Sequence, residues 1–181
     1  MVIFLKRMCG FLLLSAFALQ VVSIFVTTIT GTMLLTLADR SPSEIAIKTA
    51  SMSSLGFLRE NFEFEYLTSR ITFLQGLINW LASIAIEFVI PKENKSVSKQ
   101  KRDKAAGAIL TTTILMIFSF YNGHANFYKN YFDMLCTWGK LLIKKYFVSK
   151  PLQVLPLLIV PGVFYSSYLL FEAFTAPPDD E

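Results

Sequence analysis

Histidine occurs once and cysteine twice in this sequence of 181 residues. A single imidazole rules out a HExxH zinc site and any metal centre built on two histidines. Cys9 and Cys136 show neither CxxC nor ligand spacing, so no disulfide framework is expected. There is no GxSxG nucleophile turn, no GxxxxGKS/T phosphate loop and no GxGxxG dinucleotide fingerprint. No catalytic set, cofactor or metal site is therefore expected. The lone His124, in "YNGHANFYKN", follows an apolar run among aromatics and reads as an interfacial or capping residue. Glu60, Glu63 and Glu65 form an acidic cluster. They suit a solvated face better than a cation rim or an acid/base pair.

Charge is scarce as well, at 17% of residues, and it is gathered into blocks with long uncharged runs between them. A bilayer imposes that segregation, because each charge at its centre costs about 2.5–3.5 kcal/mol. Apolar residues make up 54% of the chain, seventeen of them Phe, and the mean hydropathy is +0.51. The composition is that of an integral, multi-pass membrane protein; which membrane is not encoded in it. The net charge of +4 could point to nucleic acid. Its basic excess lies beside hydrophobic runs, however, where membrane orientation and anionic lipid account for it, and no nucleic-acid partner is expected.

The fold class expected is an all-α polytopic transmembrane bundle forming one domain, with four spans, or five on one alternative, and one or two interfacial amphipathic helices. The spans are residues 10–38, 71–90, 105–121 and 152–174. Basic Lys6–Arg7 before "FLLLSAFA" resemble a signal peptide, but the apolar run continues far beyond Ala18 and favours an uncleaved first span. Ser41, Pro42 and Glu44 form a capping box that opens an interfacial helix over residues 42–60. Pro91 stops the second span. "PKENKSVSKQKRDK" then reads as a basic loop whose Lys92, Lys95, Lys99, Lys101, Arg102 and Lys104 meet anionic headgroups. Asn94 sits in a glycosylation sequon, but in this loop, which the charge rule assigns to the cytoplasmic side.

Residues 131–147 set two rules against each other. Phe132, Leu135, Cys136, Gly139, Leu142, Ile143 and Tyr146 share one helical face; Asp133, Thr137, Lys140 and Lys144 share the other. An interfacial helix gives eight basic residues inside and nine outside, which is no bias; a fifth crossing gives eleven and five. The crossing would bury Asp133 and Lys140, so four spans with an internal N-terminus are preferred.

Within the second span, Gln75, Asn79, Ser83 and Glu87 recur every fourth residue, with Thr68 and Thr72 extending the row. On a helix they make one slowly winding polar stripe. The first span has a matching row in Gln20, Ser23, Thr27 and Thr30–Gly31, the third offers Gly107, Thr111 and Ser119, and the fourth has Pro161–Gly162 at its middle. Such a stripe either glues helices together or lines a wet path with Glu87 as a charged mouth. Gluing is favoured, since the spans hold no ionisable group near mid-bilayer. The function expected is a non-enzymatic membrane subunit that packs into, or helps assemble, a larger complex with other membrane subunits. A homo-oligomeric channel or small transporter is the alternative, and a lipid-acting enzyme using the membrane-edge carboxylates is more remote.

Overall fold

The computed structural model describes residues 2–40, 54–90, 96–124, 128–148 and 154–175. Regular structure among the described residues is helical throughout, with no strand. The helices are α1 (Val2–Arg40), α2 (Ser54–Val89), α3 (Val97–His124), α4 (Tyr131–Ile143, continued by a π-turn to Val148) and α5 (Val154–Thr175). Among the described residues three segments are long and apolar enough to cross a membrane: Val2–Leu37, Glu60–Val89 and Val97–Gly123. They lie in α1, α2 and α3 and extend beyond the first three expected spans. The fourth expected span falls on α5, which carries Pro161 in its interior.

One boundary differs from expectation. The basic segment is not a loop throughout, because α3 begins at Val97 and takes Lys99, Lys101, Arg102 and Lys104 into its first turns. Lys, Gln and Arg are good helix formers, and the Gln100 N–H bonds the Ser96 carbonyl at 3.1 Å, so the helix starts before the apolar run does. Lys92 and Lys95 lie outside the described residues. So does most of the expected helix 42–60. Its described end, from Ser54, runs directly into α2, interrupted only at Phe62, whose backbone angles (φ −137°, ψ 38°) are non-helical.

Helix α2 is the central element. Its Leu67, Ile71, Leu74 and Ile78 recur at helical spacing and are buried with Tyr128, Tyr131 and Met134, while Ile114, Ile117, Phe118 and Tyr121 of α3 pack against them. The other side of α2 meets α1, and the sequence carries a reason for how closely. Cys9, Ala16, Ser23 and Thr30 recur every seven residues on α1, as do Ser69, Gly76 and Ser83 on α2. Small residues at this spacing form a seam on which two backbones approach closely with a slight left-handed wind. The helices are antiparallel in matching register: Cys9 faces Ser83, Ala16 faces Gly76 and Ser23 faces Ser69. Ala16, Ser23, Thr30 and Ser83 are all buried.

The other helices order themselves around this pair. Gly107 brings the start of α3 against the end of α2, since a Cβ there would lie 3.2 Å from Val89 and 3.4 Å from the Ala85 carbonyl. Lys6, Arg7, Glu87 and the basic first turns of α3 thus gather at one end of the bundle. The last turn of α5 joins them: the Phe174 ring packs on Phe4 and Phe11, and its carbonyl accepts from Arg7 Nη1 at 3.3 Å.

Gly76 is the tightest point, where an added Cβ would meet Gln20 Nε2 at 3.0 Å and the Ala16 carbonyl at 3.2 Å. Gly76→Ala is therefore expected to lower stability by about 1–3 kcal/mol through overpacking against backbone. At Gly31 an added Cβ meets nothing within 4 Å. Gly31→Ala is expected to be neutral or to gain up to about 1 kcal/mol of helix propensity. Reversible unfolding in mixed micelles measures both. A Gly76→Ala protein as stable as its parent would contradict close contact between α1 and α2.

Candidate functional site: the polar stripe of α2

The stripe is a chain of hydrogen bonds that leaves α2 on both sides. Gln75 Nε2 donates to Asn79 Oδ1 at 2.8 Å, and Asn79 Nδ2 donates to Ser15 Oγ on α1 at 3.0 Å. In the other direction Tyr131 OH of α4 donates to Gln75 Oε1 at 3.0 Å. One turn below Asn79, Ser83 Oγ donates to the Cys9 carbonyl at 3.0 Å, with the Cys9 thiol also 3.0 Å from that hydroxyl. Glu87, one turn further, is exposed at the end of the bundle that holds Lys6 and Arg7.

Toward the other end the pattern continues from neighbouring helices. Ser23 Oγ donates to the Ser69 carbonyl at 3.1 Å, Thr27 and Ser69 hydroxyls lie 2.7 Å apart, and Gln20 Nε2 reaches the Phe73 carbonyl at 3.2 Å. Thr72 is buried and donates to the Thr68 carbonyl of its own helix, and Thr68 Oγ1 accepts from Trp138 Nε1 at 2.9 Å. Where hydroxyl, amide and indole groups face each other in an apolar medium, each such bond contributes about 0.6 kcal/mol. Among the described residues no buried side-chain nitrogen or oxygen lacks a partner.

The far end is an aromatic and ionic collar. Arg70 donates to Tyr66 OH and stacks over Tyr121, 5.1 Å from its ring centre. Lys145 pairs with Glu65 and sits 4.4 Å over the Phe64 ring; Tyr128 OH donates to Glu63 Oε1 at 3.2 Å. Two of the three clustered acids are thus engaged by α4 and the residues leading into it. From Glu65 to Glu87, α2 rises about 33 Å, close to the roughly 30 Å hydrocarbon thickness of a bilayer.

Helix α4 lies along α2, from Tyr131 beside Gln75 to Trp138 beside Thr68, and beyond it Tyr146 meets Phe64 with ring centres 5.8 Å apart. Its packed face coincides only in part with its apolar stripe. Tyr131 and Met134 are buried, and Leu135, Trp138 and Leu141 pack beside them, whereas Phe132 is 76% exposed, Ile143 is 56% exposed and Cys136 is exposed. Two polar-tipped aromatics select the inner face, since their partners are on α2. Asp133 has a local role: Asn130 Oδ1 accepts from the Asp133 N–H at 2.8 Å and Asp133 Oδ2 accepts from the Lys129 N–H at 3.2 Å. This is a reciprocal cap that satisfies the first turn and places an acid at the positive end of the helix.

The sequence pattern marked Thr68, Gln75, Asn79, Ser83, Gln20, Ser23 and Thr27, but not their partners Cys9, Ser15, Ser69, Tyr131 and Trp138. The seven-residue spacing of small residues is the signal from which Cys9 and Ser69 follow. No protein-family model, no curated protein and no solved structure matches this chain. Its class rests on the fold alone: the described residues are helical, with three helices among them long and apolar enough to cross a membrane.

The link between Asn79 and Ser15 lends itself to a double-mutant cycle. Asn79→Leu alone is expected to cost about 0.6–2 kcal/mol, and its coupling to Ser15→Ala should be near 0.6 kcal/mol. Glu87→Gln, on an exposed position, should leave unfolding unchanged. Zero coupling between positions 79 and 15 would remove the stripe from the seam.

Proposed function

We propose that this chain is a non-enzymatic integral membrane subunit that packs into, or helps assemble, a larger membrane protein complex. In this reading α1, α2, α3 and α5 cross the bilayer, giving four spans with both termini on one side. Lys99, Lys101, Arg102 and Lys104 then face the anionic headgroups of the same leaflet as Lys6 and Arg7. The observation that carries the reading is the engagement of the polar stripe: Gln75, Asn79 and Ser83 direct their hydrogen bonds to α1, α4 and each other. A water-filled path would need those groups turned toward it. Two further features support a packing role. Helix α5 exposes Phe164, Tyr165, Tyr168 and Phe171. At 22 residues it is about 33 Å long, enough to cross, and its end lies beside Phe4 and Phe11.

The topology is checked by reporters fused ahead of Met1 and after Glu181, expected on the same side; opposite sides would mean an odd number of crossings. The role is checked by extraction in mild detergent and by ion flux in proteoliposomes. A defined set of different partner proteins and no flux are expected. A homo-oligomer that conducts ions, with selectivity altered by Glu87→Gln and assembly intact, would replace this reading with a channel.

A further inference from the structure

We propose that the outer groove between α1 and α2 is a binding site for an anionic phospholipid, with one acyl chain in the groove and the phosphate held by Lys6. The groove has a volume of about 740 Å³ and is lined by Gly10, Leu13, Leu14 and Phe17 of α1 and by Leu77 and Trp80 of α2, with Ala16 and Gln20 at its inner side. Its size is that of ligand pockets in general, roughly 300–1,000 Å³. Its lining is almost wholly apolar, and the amide of its one polar member, Gln20, is directed to the Phe73 carbonyl.

Three observations select the occupant. The first is depth: Gly10 to Gln20 is about 15 Å along the helix, half of a hydrocarbon core of roughly 30 Å, so the groove matches one leaflet. The second is charge. Lys6 lies one turn before Gly10 on the same face, since residues 6, 10, 13 and 17 recur at helical spacing, and it is exposed. A cation at the open end of an apolar slot of one-leaflet depth complements a lipid with an anionic head and a saturated or unsaturated tail. The third is the residue that makes the slot. Gly10 has nothing within 4 Å of an added Cβ, so the space over it is not filled by protein. It is unlike Gly76 and Gly107, where the neighbouring helix occupies that place. The basic first turns of α3 lie across α2 and are not needed for this site.

Trp80 lines the groove and reports on it directly. The full chain is placed in phosphatidylcholine bilayers containing a minor fraction of either phosphatidylglycerol or phosphatidylcholine with brominated chains. The quenching read is the part absent from a Trp80→Phe variant, which removes the contribution of Trp138. Brominated phosphatidylglycerol is expected to bind about fivefold better than brominated phosphatidylcholine, the effect of one lysine near an anionic headgroup. Lys6→Gln should abolish that preference and Lys6→Arg should keep it. Gly10→Leu should reduce quenching by both lipids while leaving unfolding in micelles unchanged. Equal quenching by the two lipids, a preference that survives Lys6→Gln, or full quenching in Gly10→Leu would each overturn the proposal. No quenching of Trp80 by either lipid would mean that protein covers the groove, and would overturn it too.

Discussion

Close approach of α1 and α2 is the constraint from which the remaining geometry follows. In hydrocarbon, apolar side chains gain little by leaving lipid for protein, so helices associate where backbones can come close and polar groups can pair. Ala16 opposite Gly76, flanked by Cys9–Ser83 and Ser23–Ser69, provides both within one register. Once that register is set, the polar groups of α2 are divided between two neighbours. Asn79 and Ser83 face α1, while Gln75 and Thr68 receive the Tyr131 and Trp138 donors of α4. The apolar row from Leu67 to Ile78 is left for α3 and α4. Helix α2 is thus saturated on most of its circumference. Helices α1 and α5 keep broad exposed apolar faces, with Phe17, Leu35, Phe164 and Phe171 all more than two-thirds exposed.

The two ends of the bundle use different chemistry for the same purpose. At one, cations and an exposed carboxylate collect at the helix termini, with Arg7 donating to the Phe174 carbonyl. At the other, two cations lean on rings, Arg70 on Tyr121 and Lys145 on Phe64. Rings of this kind suit the boundary between water and lipid, and they let a cation sit close to apolar surface without losing all of its stabilisation. Glu65 and Glu63 complete the collar by accepting from Lys145 and Tyr128.

Much of this was legible in the sequence, and the failures share one cause. Uncharged runs bounded by Lys6–Arg7 and by Arg70 marked the apolar lengths of α1 and α2, because charge is costly in lipid whatever the packing. The stripe of Gln75, Asn79 and Ser83 stood out because polar groups at helical spacing are rare in such runs. The orientation of α4 was not legible. Its apolar stripe, Phe132 to Tyr146, indicates the inward face only when the outside is water. Against lipid, Phe132 and Ile143 are at no disadvantage outside, and the hydrogen bonds of Tyr131 and Trp138 decide. Asp133, which counted against a fifth crossing, has a role the pattern did not show: it is a cap whose partners lie in the residues just before the helix. The partners of the stripe, Ser15 and Cys9, needed the register of α1 against α2, and that register was written in small residues, which a search for polar or apolar periodicity passes over.

The seam also sets an order of events during synthesis. Its hydrogen bonds join residues 42 to 74 positions apart, and every one of them lies within the first half of the chain. A nascent chain that has released only α1 and α2 already holds the complete set of partners for this interface, since helices insert first and associate afterwards. The later helices then arrive at a finished two-helix template: α3 at Ala85 and Val89, α4 along the row from Gln75 to Thr68, and α5 last, against Phe4 and Phe11. A defect at Gly76 would therefore act while the chain is still half made and leave every later helix without its docking face, whereas a defect at Phe174 would act only after the rest of the bundle has closed.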